Sequence, residues 1–517
     1  MQATSRLLPF VLLLIFVSVI LTNCSNKNSE ENWNQTVNRV SSGVVSIQTD
    51  FPVSFDGKWN HSGYATGFIV DAKRGIILTN RHVISPGPIT AKAVLVNNEE
   101  IDLTPLYFDP VHDFGFFKYD PSQIQHIEPH EFKLSDEPPK IGESIRIIGN
   151  DAGQKISILD GTISRLDRDA PNYGKGKYND FNIFYIQAAT STTGGSSGSP
   201  VINVEGEAVA LNAGSETKSA NAFYVPLDRI KFALRNLQND QAIARGTLKT
   251  TFKSTSYVEL KRLGMTPELE SQYRAQYPEM KGLLVVDHLL PASPAAEHLS
   301  VGDILLQIDK QTLATFTELE KILNSKVDDE ITVKILRQGQ ELSFPLRVDD
   351  LHALSPTSIV KFDGGVFHTL SYQQARHFNK PIQGVYVASS GGAFGSAGVP
   401  AKSVITEFNG QQVNSVEAFN TQLLTIENGK KINLRYFDFS THNTTNYALV
   451  EIKRKWFEHS YCQKSTELSH WPCTTYPSSG PDANLDQDDN PVQTVIDSGN
   501  LQDSLVNVSF SSPYSIQ

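Results

Sequence analysis

Residues 44–225 contain many short apolar runs separated by turn signals, and this spacing constrains the fold more than any other feature of the chain. Representative runs are residues 44–48, 93–96, 144–148, 155–159, 184–187 and 208–212. Short runs of this kind predict the strands of an all-β barrel or sandwich. Residues 228–238 follow with apolar side chains at helical spacing, so we expect a helix to close this domain.

A glycine-rich turn, GGSSGSP at residues 194–200, precedes the apolar run 201–203. Ser197 therefore displays a small hydroxyl at the entrance of a strand. A serine hydroxyl attacks a carbonyl only when a base removes its proton and hydrogen-bond donors stabilise the charge that develops on the attacked oxygen. Ser197 is accordingly the candidate nucleophile.

A base and a residue that orients it lie upstream in a definite order. His82 comes just past two short strand-like runs joined by a turn, and Asp113 begins the apolar run DFGFF. The order His82, Asp113, Ser197 is the one found for the Ser-His-Asp triad in two-barrel serine proteases, which favours two packed barrels with the site between them. Each residue alone has a structural interpretation, as a turn, core or capping residue, and we expect His112 to be an exposed loop residue.

These motifs resemble the HtrA/Deg family of serine endoproteases. The matching segments are 66–70 (TGFIV), 78–83 (LTNRHV), 113–115 (DFG) and 195–200 (GSSGSP). The resemblance implies that His82 is the general base, Asp113 its orienting residue and Ser197 the nucleophile, with the N–H groups of Gly195 and Ser197 as the oxyanion hole. Ser199 stands where the family usually has glycine.

Further segments are similar to the fungal nuclear pro-apoptotic HtrA-like proteases and their bacterial relatives. They are residues 283–286, 305–309, 350–353 and 367–376, and the whole resemblance covers about residues 38–457. Those fungal proteins are duplicated and lack a secretory leader, whereas this sequence has one protease unit and an apolar N-terminus. We therefore expect a mainly β protein with a two-barrel trypsin-like domain at 38–240.

Two α+β modules are predicted at 246–350 and 356–457, because their sequence pattern repeats at an interval of about 102 residues. Both resemble PDZ modules, which bind an extended peptide as an added strand and hold its carboxylate with backbone N–H groups. The candidate peptide-binding residues are Gly282, Leu283, Leu284, Gly384, Val385 and Tyr386. Their apolar side chains could equally belong to the core.

Two other segments of the protease domain carry predictions. Leu211, Asn212 and Ala213 would line the pocket for the residue before the scissile bond and bring no carboxylate, which predicts small or medium aliphatic side chains there. The loop 165–182 is polar and is expected to be exposed and mobile. In HtrA relatives the loop at this place senses ligand, and the alternative is a tolerated surface insertion.

The N-terminal sequence predicts a location outside the cytoplasm. An apolar run at 7–21 precedes Cys24 in a segment that resembles a bacterial lipobox, so residues 1–24 are expected to be a signal peptide or lipoprotein leader. Lipidation of Cys24 or an uncleaved signal anchor would attach the protein to the membrane, facing a bacterial periplasm. A cleaved soluble form is the third possibility. Residues 25–37 would be a tether and 458–517 a mostly disordered tail.

Composition narrows the classes of partner. The formal net charge of −11 argues against nucleic acid, because phosphate binding needs a basic face. Three cysteines, Cys24, Cys462 and Cys473, are too few for a four-thiolate zinc site, and no metal or cofactor is expected. Cys462 and Cys473 could pair in an oxidising compartment or remain free thiols.

The sequence therefore favours a serine endopeptidase that degrades unfolded or mislocalised proteins. Two alternatives remain: a peptide-binding chaperone or scaffold with weak or no proteolysis, and a regulatory protease that makes a single signalling cut. Expected partners are unfolded proteins, C-terminal peptides and further copies of the chain in a trimer-based oligomer. Trp33, near the start of the protease domain, is a candidate for the oligomer contact.

Overall fold

A computed structural model describes residues 31–150, 156–216, 220–439, 441, 444–465, 470–477 and 493–494. The predicted leader at 1–24, with Cys24, and most of the predicted C-terminal tail lie outside the described residues.

The described strands of residues 44–226 close into two barrels of six strands each, as the two-barrel prediction requires. In the first barrel the strand order is β1-β2-β3-β6-β5-β4, with strands β1 Val44–Phe51, β2 His61–Asp71, β3 Ile76–Thr79, β4 Thr90–Val94, β5 Glu100–Phe108 and β6 Gly115–Lys118. In the second the order is β10-β11-β12-β9-β8-β7, with strands β7 Ser144–Gly149, β8 Ser157–Asp169, β9 Phe184–Ala189, β10 Pro200–Ile202, β11 Ala208–Glu216 and β12 Asn221–Pro226.

Helices flank the barrels. Helix α1 covers residues 31–40, α2 is the single turn Arg81–Ile84, and α3 is Leu227–Gln238, where the sequence predicts a helix. Short 3₁₀ segments lie at Ser41–Gly43 and Pro121–Gln123. The tether predicted at 25–37 is thus helical from residue 31. Trp33 packs against the chain's own buried cluster and lies under the Arg146 guanidinium, 4.6 Å from it, so its role as an oligomer contact stays a prediction.

One buried apolar cluster joins the two barrels. Phe68, Leu78 and Phe114 come from the first barrel, while Ile202 and Leu211 come from the second. Each barrel also has a core of its own. Burial of apolar surface is the main favourable term in such packing, so the shared cluster fixes the relative orientation of the barrels and the cleft between them.

The first module follows α3 and is built on a twisted antiparallel sheet of order β14-β15-β16-β18-β19. Its strands are β13 Gly246–Thr247, β14 Thr250–Ser256, β15 Gly282–Leu289, β16 Ile304–Ile308, β17 Gln311–Thr312, β18 Glu330–Arg337, β19 Gln340–Arg347 and β20 Asp349–Asp350. Its helices are α4 Tyr257–Arg262, α5 Pro267–Gln276, α6 Pro294–His298 and α7 Phe316–Ser325. A capping box between Thr315 and Glu318 satisfies backbone N–H groups at the start of α7, which explains why this helix begins there.

The second module follows a 3₁₀ turn at His352–Leu354 and has the sheet order β27-β26-β24-β23-β22-β21-β28-β29-β30. Its strands are β21 Ser358–Phe362, β22 Gly365–Thr369, β23 Val385–Ser389, β24 Ser403–Phe408, β25 Gln411–Gln412, β26 Lys431–Asp438, β27 Thr444–Glu451, β28 His459–Gln463, β29 Cys473–Tyr476 and β30 Gln493–Thr494. Its helices are α8 Tyr372–His377, α9 Gly391–Ser396 and α10 Val416–Leu424.

The first part of the predicted disordered tail belongs to this sheet. Strand β28 pairs with β21, β29 pairs with β28, and a disulfide links Cys462 to the directly opposite Cys473. Trp471, between the two cysteines, is buried. Local composition did not reveal these strands because their partners lie about a hundred residues upstream, in β21.

A second buried cluster joins all three domains, and we call it the three-domain cluster. It contains Phe55 and Val111 of the protease domain, Leu351 at the end of the first module, and Tyr372 and Trp471 of the second. Phe55 lies in the β1–β2 loop and Val111 lies two residues before Asp113. Both modules therefore pack against the part of the protease domain that carries the candidate triad.

Candidate active site

His82 and Asp113 form a direct pair. Strand β3 ends at Thr79, Asn80 precedes α2 in extended conformation, and the one-turn helix presents His82. His82 Nδ1 lies 2.8 Å from Asp113 Oδ2, and the backbone N–H of His82 donates to Asp113 Oδ1 at 3.0 Å. This pairing places the proton on Nδ1 and leaves Nε2 as the basic nitrogen.

The Asp113 carboxylate is buried and ionised. Burial alone raises the pKa of Asp113, but the charge of His82 and the hydrogen bonds from its ring and backbone outweigh burial and lower that pKa to about 2. A permanent negative charge at this position stabilises the imidazolium that forms when His82 accepts a proton.

The turn that carries Ser197 is held between the two barrels. The Ser197 carbonyl accepts the Thr66 N–H at 2.8 Å, and the Gly198 N–H donates to the Asn212 carbonyl at 2.9 Å. Gly195 and Gly198 have φ of 102° and 84°, values that L-residues rarely adopt. Thr66 is on β2, so the half-buried serine lies against the barrel that also supplies His82.

The backbone of this turn offers two donors. Among the residues that the structure describes, the N–H groups of Gly195 and Ser197 donate to no protein acceptor. Donors left unpaired beside a nucleophile suit an oxyanion that forms during attack. Their role as the oxyanion hole stays a prediction.

Ser199, the departure from the family's usual glycine, fits its place without strain. Its φ lies outside the left-handed region, so glycine is not required there. Its Oγ donates to the Ser196 carbonyl at 2.7 Å, and Asn212 Nδ2 donates to the same carbonyl at 2.6 Å. Ser199 therefore adds a hydrogen bond to the turn.

Comparison with known proteins agrees with this geometry. Residues 65–211 match the model of the trypsin-like peptidase domain, residues 250–348 match the PDZ domain, and residues 353–428 match the PDZ-like domain. Protease Do-like 7 of Arabidopsis thaliana is 44% identical over 439 residues, which are 83% of this chain and 40% of that protein. The chain has a trypsin-like peptidase domain followed by two PDZ-type domains, and it is similar to Do-like serine proteases.

Other relatives extend the comparison. The pro-apoptotic serine protease NMA111 of Candida glabrata is 43% identical over 425 residues, which are 82% of this chain and 43% of that protein. A solved structure titled HtrA-type protease AlgW with decapeptide aligns at 21% identity and a TM-score of 0.45, covering 62% of this chain and 98% of that one. The chain spans less than half the length of the curated relatives named here.

These comparisons correct the predicted location. The prediction of a membrane-attached enzyme of the bacterial periplasm is wrong, because the curated relatives named here are plant and fungal proteins. Across the described ranges, no helix is long and apolar enough to cross a membrane. Nor do three or more metal-ligating side chains cluster anywhere in that part of the chain.

The residues predicted for the substrate pocket lie side by side on β11. Asn212 faces the nucleophile turn through the bonds given above, while Leu211 and Ala213 belong to the buried cluster between the barrels. The structure thus brings Asn212 to the turn that carries Ser197. The pocket itself stays a prediction.

In the first PDZ module the predicted peptide-binding residues lie in an interior strand, which argues against strand addition at them. Gly282, Leu283 and Leu284 are buried in β15, which lies between β14 and β16. Leu283 and Leu284 pack into two different apolar clusters, so both faces of the strand are covered. Strand addition needs a free sheet edge, and the edge strand beside β15 is β14.

In the second PDZ-like module the predicted peptide-binding residues are likewise in an interior strand. Val385 and Tyr386 lie in β23, paired with β22 on one side and β24 on the other. The Gly384 N–H donates to the Asn414 carbonyl at 2.9 Å, so it is not free to hold a carboxylate. The glycine-hydrophobic pattern marks interior strands in both modules.

Sequence reasoning missed groups that support the triad. Asn80 Nδ2 donates to the Asp113 carbonyl at 2.8 Å, and Lys58 Nζ donates to the His82 carbonyl at 2.8 Å. Burial lowers the pKa of Lys58 to about 8. Asn80 stands within the motif next to His82 and could have been identified, whereas Lys58 comes from a loop with no recognisable pattern.

His112 differs from expectation, whereas many residues of the loop 165–182 are exposed, as expected. His112 is fully buried, and burial lowers its pKa well below the ordinary value, so it is neutral. Strand β8 continues to Asp169, and Asp180 of the loop is a buried partner of the triad segment. Burial of these groups depends on partners far away in sequence.

Gly198→Ala is expected to lower kcat/KM on a peptide substrate at least about 100-fold, since small displacements at a reacting centre cost this much. A Cβ at this position would overlap the Thr66 carbonyl and the Thr79 hydroxyl, and the positive φ disfavours alanine. Gly194→Ala is the matched control, because a Cβ there meets nothing within 4 Å. Equal activities of the two variants would show that the turn tolerates displacement.

Proposed function

We propose that this protein is an endopeptidase that hydrolyses peptide bonds in unfolded polypeptides. The 2.8 Å contact between His82 Nδ1 and Asp113 Oδ2 carries the proposal, together with the bond that joins the Ser197 carbonyl to Thr66 on β2 of the barrel that supplies His82. His82 Nε2 takes the Ser197 proton as Oγ attacks the peptide carbonyl, and the N–H groups of Gly195 and Ser197 receive the developing oxyanion. His82 then protonates the leaving amine, and water hydrolyses the acyl-enzyme.

A cavity next to the proposed general base, His82, supports the proposal that the substrate binds in extended form. It has a volume of about 490 Å³ and is lined by His82 together with Lys58, Trp59, Lys177 and Tyr178. An aromatic-lined space open beside the triad can accept a side chain near the scissile bond. An unfolded polypeptide can place a side chain in this cavity, whereas a folded substrate keeps its side chains within its own structure.

Peptide binding by the first module is proposed at the edge strand β14 in place of the interior strand. A cavity of about 540 Å³ is lined by Thr251, Phe252 and Lys253 of this strand and by Phe316 of α7. An extended peptide would add to β14 with its side chains toward α7. The Phe252 N–H donates to Asn182 Oδ1 at 2.7 Å, so a peptide added at this residue would displace that bond from the protease loop.

The test is degradation of unfolded casein by the purified chain, with mapping of the cleavage sites by mass spectrometry. We expect broad cleavage after small or medium aliphatic residues, because the predicted pocket residues on β11 supply no carboxylate for Lys or Arg. Addition of a hydrophobic C-terminal peptide should change the rate if β14 binds it.

Other outcomes would favour the alternatives. A serine-directed fluorophosphonate that fails to label the folded chain would indicate a scaffold, and labelling with only one cut in casein would indicate a regulatory protease. Cleavage after Lys or Arg would contradict the pocket assignment. A trimer-based assembly is also proposed, and light scattering of the same preparation measures it.

A further inference from the structure

The segment 109–114, which we call the aspartate segment, is buried along its whole length. Asp109 Oδ1 accepts the N–H groups of Val111 and His112 at 2.9 and 2.7 Å, which folds the segment into a tight turn. Asp113 projects from this turn toward His82. Any group that holds the turn therefore sets where the catalytic carboxylate lies.

Arg245 holds the aspartate segment from the side of the first module. This arginine immediately precedes β13, and its Nε lies 2.9 Å from Asp109 Oδ2. Its Nη2 donates to the neutral His112 ring at Nδ1, 3.0 Å away. Both arginine and aspartate side chains are at least 96% buried, so water does not screen the pair.

The same arginine connects the segment to α7 of the first module. Arg245 Nη1 lies 3.4 Å from Glu320 Oε2, and Arg229 of α3 pairs with the same carboxylate. His112 Nε2 lies 3.1 Å from the Phe181 carbonyl, to which it donates. Removal of one charged partner from such a buried network would leave an uncompensated charge. Because Arg245 immediately precedes the first strand of the first module and Glu320 lies within that module, the network forms only when the module is docked.

Asp180 holds the segment from the opposite side. Its Oδ2 accepts the backbone N–H of Asp113 itself at 2.8 Å and the Tyr185 hydroxyl at 2.7 Å. Its Oδ1 accepts from Arg81 Nη2 at 3.3 Å. Because Arg81 adjoins His82 in sequence, one carboxylate braces both members of the His82–Asp113 pair.

The loop that carries Asp180 is in turn held by the second module. Arg376 of α8 donates to the Asn179 carbonyl at 2.8 Å, and its guanidinium lies 4.5 Å from the centre of the Phe181 ring. Asn179 Nδ2 lies 3.1 Å from His377 Nε2. Residues on both sides of Asp180 are therefore fixed by α8.

We propose that Arg245 and Asp180 are positioning residues for Asp113, through which docking of both modules orients the triad. Arg245 contacts the turn that carries Asp113, and Asp180 accepts the backbone N–H of Asp113 itself. A displacement of either contact would therefore move the Asp113 carboxylate relative to His82. Neither residue touches the reacting atoms. This inference rests on the proposed function, because it concerns the triad of that reaction.

The experiment compares Asp180→Ala with Asp180→Asn on a short peptide substrate. Alanine removes the acceptor of the Asp113 N–H, and we expect kcat to fall about 10- to 100-fold with KM changed less than about twofold, as for a misplaced catalytic group. Asparagine keeps an acceptor oxygen and should restore most of kcat. The acid limb of the kcat/KM profile should shift to lower pH in Asp180→Ala, because a displaced Asp113 stabilises the imidazolium less.

Arg245→Met tests the contact of the first module with the aspartate segment, and Arg337→Met is its matched control. Arg337 makes two bonds of 2.7 and 2.8 Å to Asp303 inside the first module, with no protease residue in that pair. We expect Arg245→Met to lower kcat at least about 10-fold and Arg337→Met to leave kcat unchanged. Hydrogen exchange by mass spectrometry should show faster exchange of residues 109–114 only in Arg245→Met.

The outcomes separate this inference from the proposed function. If the unmodified chain cleaves no peptide, the proposed function fails. If that chain is active and Asp180→Ala keeps its kcat and pH profile, the positioning role is overturned. Should Arg245→Met not fold, Arg376→Gln removes the Arg376 contacts with Asn179 and Phe181, while the His377 contact with Asn179 remains. Unchanged exchange at 109–114 in that variant would contradict a role of Arg376 in holding the aspartate segment.

Discussion

Ser197→Ala is expected to lower peptide hydrolysis by about 10⁶-fold, the loss typical of removing the nucleophile from a Ser-His-Asp unit. The fold should be unaffected, because the contact of Ser197 with Thr66 is made by its backbone carbonyl at 2.8 Å and remains in alanine. Steady-state cleavage of unfolded casein and labelling by a fluorophosphonate measure the loss. Peptide binding at β14 should persist.

The matched control is Ser164→Ala. The Ser164 hydroxyl is exposed and donates to the Gln187 carbonyl at 3.1 Å on the wall of the second barrel. Its removal should leave the rate of casein cleavage within about twofold, as surface substitutions away from special contacts usually do. Residual cleavage by Ser197→Ala above about 1% would assign the reaction to another nucleophile or to a contaminating protease.

Asp113→Asn is expected to lower kcat about 10⁴-fold, as loss of the orienting carboxylate does in serine proteases. Both carboxylate oxygens accept from His82, one from its backbone N–H and one from Nδ1–H. An asparagine has one acceptor and one donor, so its NH₂ group facing Nδ1 would favour the tautomer with the proton on Nε2. That tautomer cannot accept the Ser197 proton.

Stability against pH provides a second readout of the same variant. The folded pKa of Asp113 is lowered from 3.8 to about 2. Ionised Asp113 therefore favours the folded state above about pH 4, and this contribution is lost as pH falls toward 2. Thermal unfolding of Asp113→Asn should depend less on pH in that range.

Asp71→Asn is the control for a buried aspartate outside the site. Asp71 is 4% exposed and pairs with Arg74 at 3.1 Å and with Gln238 at 2.9 Å. Its substitution should lower stability with kcat preserved. A comparable loss of kcat in Asp71→Asn and Asp113→Asn would mean that both act through the fold.

The local sequence was sufficient to predict those elements whose structure depends on neighbouring residues in the chain. The short strands and helix α3 follow from periodicity, and the motifs around His82, Asp113 and Ser197 carry their own turns and glycines. The presence of two modules was also accessible, since each module repeats the same pattern of strand, helix and strand.

Predictions failed where a position depends on pairing with distant residues. Gly282–Leu284 and Gly384–Tyr386 have the composition of peptide-binding strands, yet sheet order makes β15 and β23 interior. Composition at 459–476 gave no sign of strands, because β28 forms only against β21. The helix at 31–40 lies in a segment that looked like a polar tether, and its apolar residues pack between the barrels.

The amino-acid sequence by itself determined the chemistry of the site, since the identity and chain order of His82, Asp113 and Ser197 define a triad before any coordinates. Tertiary structure alone decided what holds that triad in place. Arg245 is 132 residues from Asp113 and Asp180 is 67 residues from it, as their sequence numbers show. Their burial and charge pairing arise only when the barrels and modules pack together. Electrostatic contacts depend on distance and desolvation, and a local sequence pattern predicts neither of them.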